Sequence, residues 1–163
     1  MQDLLELYRH NTWANDKVFG VALGVDRALL EHEARGTRDS VVGTLGHLVR
    51  VEDAYLAMIE RHPRETLGAN DEYLAHELDW FAARAREVGA AYVRLLEASA
   101  ADSLDFDLGI PWFNFPVSAR DGLRQVLTHS AQHRSQVLSW LSAQGVQTPD
   151  LDYVLMLGEL RKP

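Results

Sequence analysis

Residues 118–145 read SARDGLRQVLTHSAQHRSQVLSWLSAQG. Ser118 and Asp121 have the spacing of a capping box, with Asp in place of the usual Glu, so a helix is predicted to begin there. The helix runs to about Gln144 and ends at Gly145, because glycine commonly follows the last turn of a helix. This stretch is the fourth of four long helices that the sequence predicts.

The remainder of the chain continues the helical periodicity. Apolar residues at spacings of three and four, together with capping and breaking residues, predict three more long helices and a short last one. These cover residues 4–23, residues 39 or 40 to about 61 where Pro63 stops the helix, residues 70 or 71 to about 99, and a short helix starting at Thr148-Pro149-Asp150. Four long helices with short connections predict an all-α four-helix bundle.

The segment before the fourth helix departs from this pattern. Residues 101–117 alternate Leu104, Phe106, Leu108 and Ile110 with polar residues before a Pro- and aromatic-rich run. A period of two is typical of short strands, so we expect a short extended or hairpin segment, or an ordered loop. Its aromatic side chains are expected to cap one end of the core, or else to lie at the lip of a pocket or in a dimer contact.

Length and composition restrict the function classes. The 163 residues predict one domain spanning residues 1–163, and the net charge of −8 disfavours binding to nucleic acid or to an anionic membrane surface. The chain has no cysteine, which excludes disulfides, protein thiolate nucleophiles and Cys-ligated metals. An acidic start and the lack of a long apolar run indicate neither a signal peptide nor a transmembrane helix, so we expect a cytoplasmic protein.

Two histidines in the fourth helix have metal-ligand spacing. His129 and His133 lie four residues apart, so their rings share one helix face and could both reach an ion at about 2.0–2.1 Å. They fall beside Val126, Val137 and Trp140, at the edge of the apolar stripe. Both rings are therefore expected to point into the bundle.

A third histidine is predicted to join them from another helix. His47 shares a face of the second helix with Val51, Ala54 and Met58 and should also point inward. Three imidazoles with one or two open positions are typical of a catalytic metal site rather than a closed structural one. The alternative is a plain helical scaffold whose histidines only pack, although each buried ring would then need partners for both nitrogens.

Several other sites are excluded by their missing motifs. No Glu is followed three residues later by His, so the di-iron carboxylate pattern fails. The His76-Glu77 pair lacks the second histidine of a zincin. Gly-rich phosphate loops and the G-x-S-x-G elbow are also absent from the sequence.

Four polar residues near the three histidines have candidate roles. Glu52, Asp53 and Gln136 are candidates to accept from the second ring nitrogens of metal-ligating histidines. Arg134 could hold a substrate carboxylate, or it could form a salt bridge to Glu52, Asp53 or another acid.

Three short motifs stand out together: residues 8–15 (YRHNTWAN), 45–48 (LGHL) and 129–136 (HSAQHRSQ). In combination they resemble the DinB/YfiT-like family of bacterial four-helix metalloproteins. The resemblance spans the whole chain and rests on the order and spacing of the motifs. It implies metal ligation by His47, His129 and His133 and assigns no catalytic base.

The resemblance also implies a set of functional expectations. These are an up-down-down-up bundle, a homodimer, and a divalent ion such as zinc or nickel. Some members of the family are thiol-dependent transferases or a maleylpyruvate isomerase that use bacillithiol or mycothiol, and many have no established reaction. We therefore expect a metal-dependent enzyme acting on a small molecule, a low-molecular-weight-thiol S-transferase or a hydrolase-like enzyme. The alternative is a non-catalytic metal-binding or stress-associated helical module.

Overall fold

A computed structural model of the protein describes residues 2–33, 39–62, 70–111 and 113–161. Four helices are long: α1 (Gln2–Leu23), α3 (Val41–Ile59), α5 (Leu78–Ala98) and α6 (Ala119–Ala143). Three are short: α2 (Arg27–Glu31), α4 (Asn70–Leu74) and α7 (Tyr153–Leu160). The described residues contain no β-strand, so the predicted all-α class with four long helices is confirmed.

The predicted helix starts of α3 and α6 are confirmed by their caps. The Ser40 hydroxyl accepts from the backbone N–H of Gly43 at 3.0 Å, and the Ser118 hydroxyl accepts from that of Asp121 at 3.1 Å. α6 ends where predicted, because Gly145 adopts a φ of +82° that an L-residue with a side chain rarely adopts. α3 ends at Ile59, two residues earlier than expected, and Pro63 lies outside the described residues.

The prediction of one helix from about residue 70 to 99 is wrong. Residues 75–77 separate α4 from α5, although none of them is Gly or Pro. The break lets the Tyr73 ring pack against Trp80, with centroids 5.2 Å apart, while the Tyr73 hydroxyl donates to Asp53 at 3.1 Å. Tertiary packing has overridden the local helix preference here.

The start of the last helix was predicted too early. α7 begins at Tyr153 with Asp152 as its N-cap, whereas Thr148-Pro149-Asp150 is not helical. The intervening residues are held by contacts of their own, because the His10 ring nitrogen Nε2 lies 2.7 Å from the carbonyl oxygen of Leu151. This hydrogen bond fastens the connection to α1 before α7 can start.

The segment before α6 is an ordered loop rather than a pair of strands. It opens with a 3₁₀ turn (Ala101–Leu104), and one isolated antiparallel bridge joins Asp107 to Ser118. Leu104 and Ile110 are buried and close one end of the core, where the aromatic side chains of the segment had been expected. Phe113 and Phe115 instead stack on each other in exposed positions, with ring centroids 5.2 Å apart, and Trp112 lies outside the described residues.

The long helices pack so that α1 and α3 each lie against both α5 and α6. α3 and α6 run antiparallel, since His47 meets His129, whereas Tyr55, later in α3, lies beside Gly122, earlier in α6. A side chain at Gly122 would come within 3.1 Å of the Tyr55 ring, so the glycine permits this close approach. The crossing of α3 and α6 thereby places the histidines of the two helices opposite each other.

The core consists of two apolar clusters with a polar layer between them. One cluster surrounds residues such as Val18, Leu45, Leu48, Phe81 and Val137, and the other surrounds residues such as Tyr8, Tyr55, Tyr92, Leu123 and Val126. Buried polar side chains of α1, α3 and α6 lie between the two clusters along each helix. None of the described helices combines the length and apolar character that a bilayer-spanning segment needs.

Candidate metal centre

Three histidines from two helices converge at the α3–α6 crossing. The Nε2 atom of His129 lies 3.2 Å from Nε2 of His47 and 3.1 Å from Nε2 of His133. One ring nitrogen from each residue lies within 4.8 Å of the other two. The structure therefore brings together all three histidines that the sequence singles out.

The spacing of these nitrogens fits a single divalent ion. A tetrahedral zinc site with Zn–N bonds of about 2.0–2.1 Å separates its ligand nitrogens by roughly 3.3–3.4 Å. The two Nε2–Nε2 distances of 3.2 and 3.1 Å are within a few tenths of an ångström of that separation. Small rotations of the rings would place the three nitrogens around one ion, so the residues present could hold a metal.

The orientation of the His133 ring is set by a neighbour on the same helix. Its Nδ1 lies 2.7 Å from the amide oxygen Oε1 of Gln136, which can only accept, so Nδ1 carries the proton and donates. In the neutral ring Nε2 then keeps its lone pair for the other two histidines. Gln136 is thus the one of the three predicted acceptors that the structure places against a ligand ring.

The site lies between the interior and the surface. His133 is buried, with 7% of its surface exposed, whereas His47 and His129 are half-buried. A three-nitrogen donor set with part of its surroundings accessible leaves room for a further ligand, which is typical of catalytic rather than structural zinc sites.

Glu52, one of the other predicted acceptors, belongs to a different arrangement. Its carboxylate has no exposed surface and accepts from the amide nitrogens of Asn11 at 2.8 Å and of Asn15 at 3.1 Å. It also accepts from the hydroxyl of Ser130 at 2.6 Å. We call Asn11, Asn15, Glu52, Ser130 and Arg134 the Glu52 cluster.

Arg134 completes the Glu52 cluster, and the predicted direct salt bridge to Glu52 or Asp53 is wrong, whereas a role in holding a substrate carboxylate stays a prediction. Its guanidinium is buried and donates to the amide oxygens of Asn11 at 2.6 Å and of Asn15 at 2.7 Å. The two amides therefore stand between Arg134 and Glu52, which form no direct salt bridge in the described part of the chain. Burial lowers the pKa of Arg134 to about 10, and the charge of Glu52 opposes part of that lowering.

Asp53, the third predicted acceptor, faces α5 instead of the histidines. It accepts from Arg84 Nε at 2.9 Å and from Arg84 Nη2 at 2.8 Å in a bidentate pair. The Tyr73 hydroxyl donates to the same carboxylate. Burial raises the pKa of Tyr73, and the charge of Asp53 raises it further.

The sequence analysis did not assign roles to Asn11 and Ser130. Their spacing could have indicated that these residues act together. Asn11 and Asn15 are four residues apart on α1, and Ser130 and Arg134 are four residues apart on α6. Such pairs share a helix face. What the spacing could not show is that these two faces meet around Glu52.

The comparisons with known proteins give one positive result. The profile of the DinB family matches residues 1–159 of the chain. The search of curated proteins finds no match.

Proposed function

Since the chain belongs to the DinB family, we propose that it binds one divalent metal ion through His47, His129 and His133. The observation that carries this proposal is the approach of the Nε2 atoms of His47 and His133 to that of His129, at 3.2 and 3.1 Å, close to the ligand separation of a tetrahedral site. Uncharged imidazole donors suit zinc or nickel better than calcium or magnesium, which prefer oxygen ligands.

We further propose that the site serves a metal-dependent enzyme acting on a small molecule. A bound divalent ion would supply Lewis-acid chemistry and would stabilise the anionic form of a ligand such as a thiolate. The half-buried His47 and His129 leave that ligand an approach from solvent, while Gln136 holds His133 in the orientation needed for ligation.

A low-molecular-weight thiol, such as bacillithiol or mycothiol, is the cosubstrate that we propose. The chain has no cysteine, so the sulfur of such a reaction has to come from outside the protein. In the transfer step the sulfur would form a bond to an electrophilic carbon as the leaving group departs, and the thiol proton would pass to solvent. We also propose that the protein is cytoplasmic and forms a homodimer. Light scattering of the purified protein would measure whether it is a dimer.

Metal content measured on protein purified without a His-tag tests the binding proposal. We expect about one zinc or nickel ion per chain. His133→Ala and His47→Ala should lose the ion, because each removes one of three ligands. His32→Ala is the matched control, since His32 is exposed at the end of α2 and should keep the wild-type metal content.

Two results would contradict the binding proposal. One is tag-free protein without metal even after incubation with zinc or nickel. The other is a His133→Ala variant that keeps the wild-type metal content, as a plain helical scaffold predicts.

Turnover assays with the metal-loaded protein test the enzymatic part. Bacillithiol and mycothiol, each paired with alkylating electrophiles, should give metal-dependent S-conjugates that His47→Ala does not form. Stoichiometric metal without turnover for any thiol would instead favour a non-catalytic metal-binding or stress-associated module.

A further inference from the structure

The Glu52 cluster forms the polar layer that separates the two apolar clusters of the core. On α1 it lies between Tyr8 and Val18, and on α6 between Val126 and Val137. A buried carboxylate at this place is costly unless its hydrogen bonds are complete. The presence of a carboxylate here, in place of an apolar side chain, indicates that the layer has a role besides packing.

Glu52 is bonded to each of the other three long helices. Its carboxylate accepts from Asn11 and Asn15 of α1 and from Ser130 of α6. Its backbone carbonyl accepts from the Tyr92 hydroxyl of α5 at 2.7 Å. These directional contacts fix how α3 is placed against its neighbours, which non-directional apolar contacts do not do as strictly.

The α6 members of the Glu52 cluster alternate with the candidate ligands. Ser130 directly follows His129, and Arg134 directly follows His133. Because successive helical residues are rotated by about 100°, the cluster occupies the face of α6 next to the ligand face. Anchoring Ser130 and Arg134 therefore sets the rotation of α6 that turns both histidines toward His47.

We propose that Glu52 is a positioning residue for the three-histidine site, an inference that rests on the proposed metal binding. Its charge also balances the buried Arg134 through the two asparagine amides. In Glu52→Gln an NH₂ group would replace a carboxylate oxygen. At Oε2 that group would meet the donor Nδ2 of Asn15, which is 3.2 Å away, and Arg134 would keep an unbalanced charge.

The chain offers a matched control in the adjacent Asp53. It is also a buried carboxylate on α3, with 7% of its surface exposed, but its partners Arg84 and Tyr73 come from α5 and α4. Asp53→Asn therefore removes a buried charge and one of its two acceptor oxygens without touching the contacts that orient α6.

The test compares zinc affinities of wild-type protein, Glu52→Gln and Asp53→Asn in competition with a chelating dye. We expect Glu52→Gln to weaken zinc binding by about 10–100-fold, the range found when the supports of metal ligands are removed. The visible spectrum of the cobalt(II)-loaded variant should change as well. Asp53→Asn should lower the unfolding temperature but leave the zinc affinity and the cobalt spectrum as in wild type.

Two outcomes of this comparison would overturn the inference. Folded Glu52→Gln with wild-type zinc affinity and cobalt spectrum would overturn the inference, as would equal losses of affinity in both variants. If Glu52→Gln does not fold, Ser130→Ala takes its place, with an expected weakening of zinc binding of about 2–10-fold from one lost hydrogen bond.

Wild-type protein that binds no zinc would contradict the proposed function itself. That result is distinguishable from a failure of the positioning role of Glu52, in which wild type binds zinc.

Discussion

Glu52 and Asp53 are neighbours in the sequence, yet they belong to two different regions of the bundle. Glu52 faces α1 and α6, has no exposed surface, and is separated from the Arg134 guanidinium by two asparagine amides. Asp53 faces α5 and binds a cation directly, through an Arg84 side chain that is 35% exposed. One carboxylate is thus part of a closed polar layer, and the other is part of a partly solvated salt bridge.

The difference shows that a buried acid can serve two purposes on one helix. The Asp53 pair joins α3 to α5 with an interaction that also occurs on protein surfaces. The Glu52 cluster joins α3 to the helix that carries two of the three histidines. If this comparison is right, damage to the two regions should differ in size, in salt dependence and in pH dependence.

The largest effect is expected from Glu52→Ala. It leaves the Arg134 guanidinium buried without a counter-charge, which typically costs about 3–5 kcal/mol of unfolding free energy. Urea denaturation of the metal-free protein measures this loss. A loss no larger than that of Asp53→Ala would contradict the distinction between the two regions.

A double substitution sharpens the same point. Removing both charges in Glu52→Gln/Arg134→Met should destabilise the protein less than the two single substitutions combined, with a coupling of about 0.5–3 kcal/mol. The physical reason is that each single variant leaves one buried charge unbalanced. Strictly additive losses in urea denaturation would show that the two charges do not interact through Asn11 and Asn15.

A smaller effect is expected from Asp53→Ala. Arg84 can return to solvent when its partner is removed, so the loss should be about 1 kcal/mol for a pair whose cation is already 35% exposed. The contribution of the pair should also fall as sodium chloride is raised, whereas that of the Glu52 cluster should not. Denaturation curves at low and high salt compare the two, and equal salt dependence would contradict the assignment.

The smallest effect on stability is expected at alkaline pH from Tyr73, the hydrogen-bond partner of Asp53. Because the folded-state pKa of Tyr73 is raised, the folded protein keeps a proton that the unfolded chain loses above pH about 10. The stability from this group is complete below that pH and is lost as the pH rises further. Tyr73→Phe should therefore lose less unfolding free energy between pH 9 and 11, measured by circular dichroism, than wild type does. If the unfolding free energies of wild type and Tyr73→Phe fall in parallel over this pH range, the raised pKa of Tyr73 does not contribute to stability.

The fold was largely predictable because its signals are local. Capping at Ser40 and Ser118 and termination at Gly145 place helix ends by short-range hydrogen bonds and backbone conformation. The break between α4 and α5 was missed because it arises from contacts of Tyr73 with α3 and α5, which are distant in sequence. The same reason explains the late start of α7.

The candidate site was predictable only in part, for a related reason. His129 and His133 are linked by helical spacing, and His47 by the face it shares with apolar residues. Nothing in the local sequence shows which of Glu52 and Asp53 faces α6. Both are acidic residues of α3, and their directions around the helix differ by about 100°. Which of them meets α6 depends on how the helices pack, and the notion that Arg134 binds an acid directly failed for the same reason.

X-ray absorption spectroscopy of the zinc-loaded protein tests the central claim most directly, because it reports the type, number and distance of the ligands. The account predicts three imidazole nitrogens at about 2.0–2.1 Å, with a further light-atom ligand in the open position. Fewer than three imidazoles, or a spectrum that His133→Ala leaves unchanged, would contradict it.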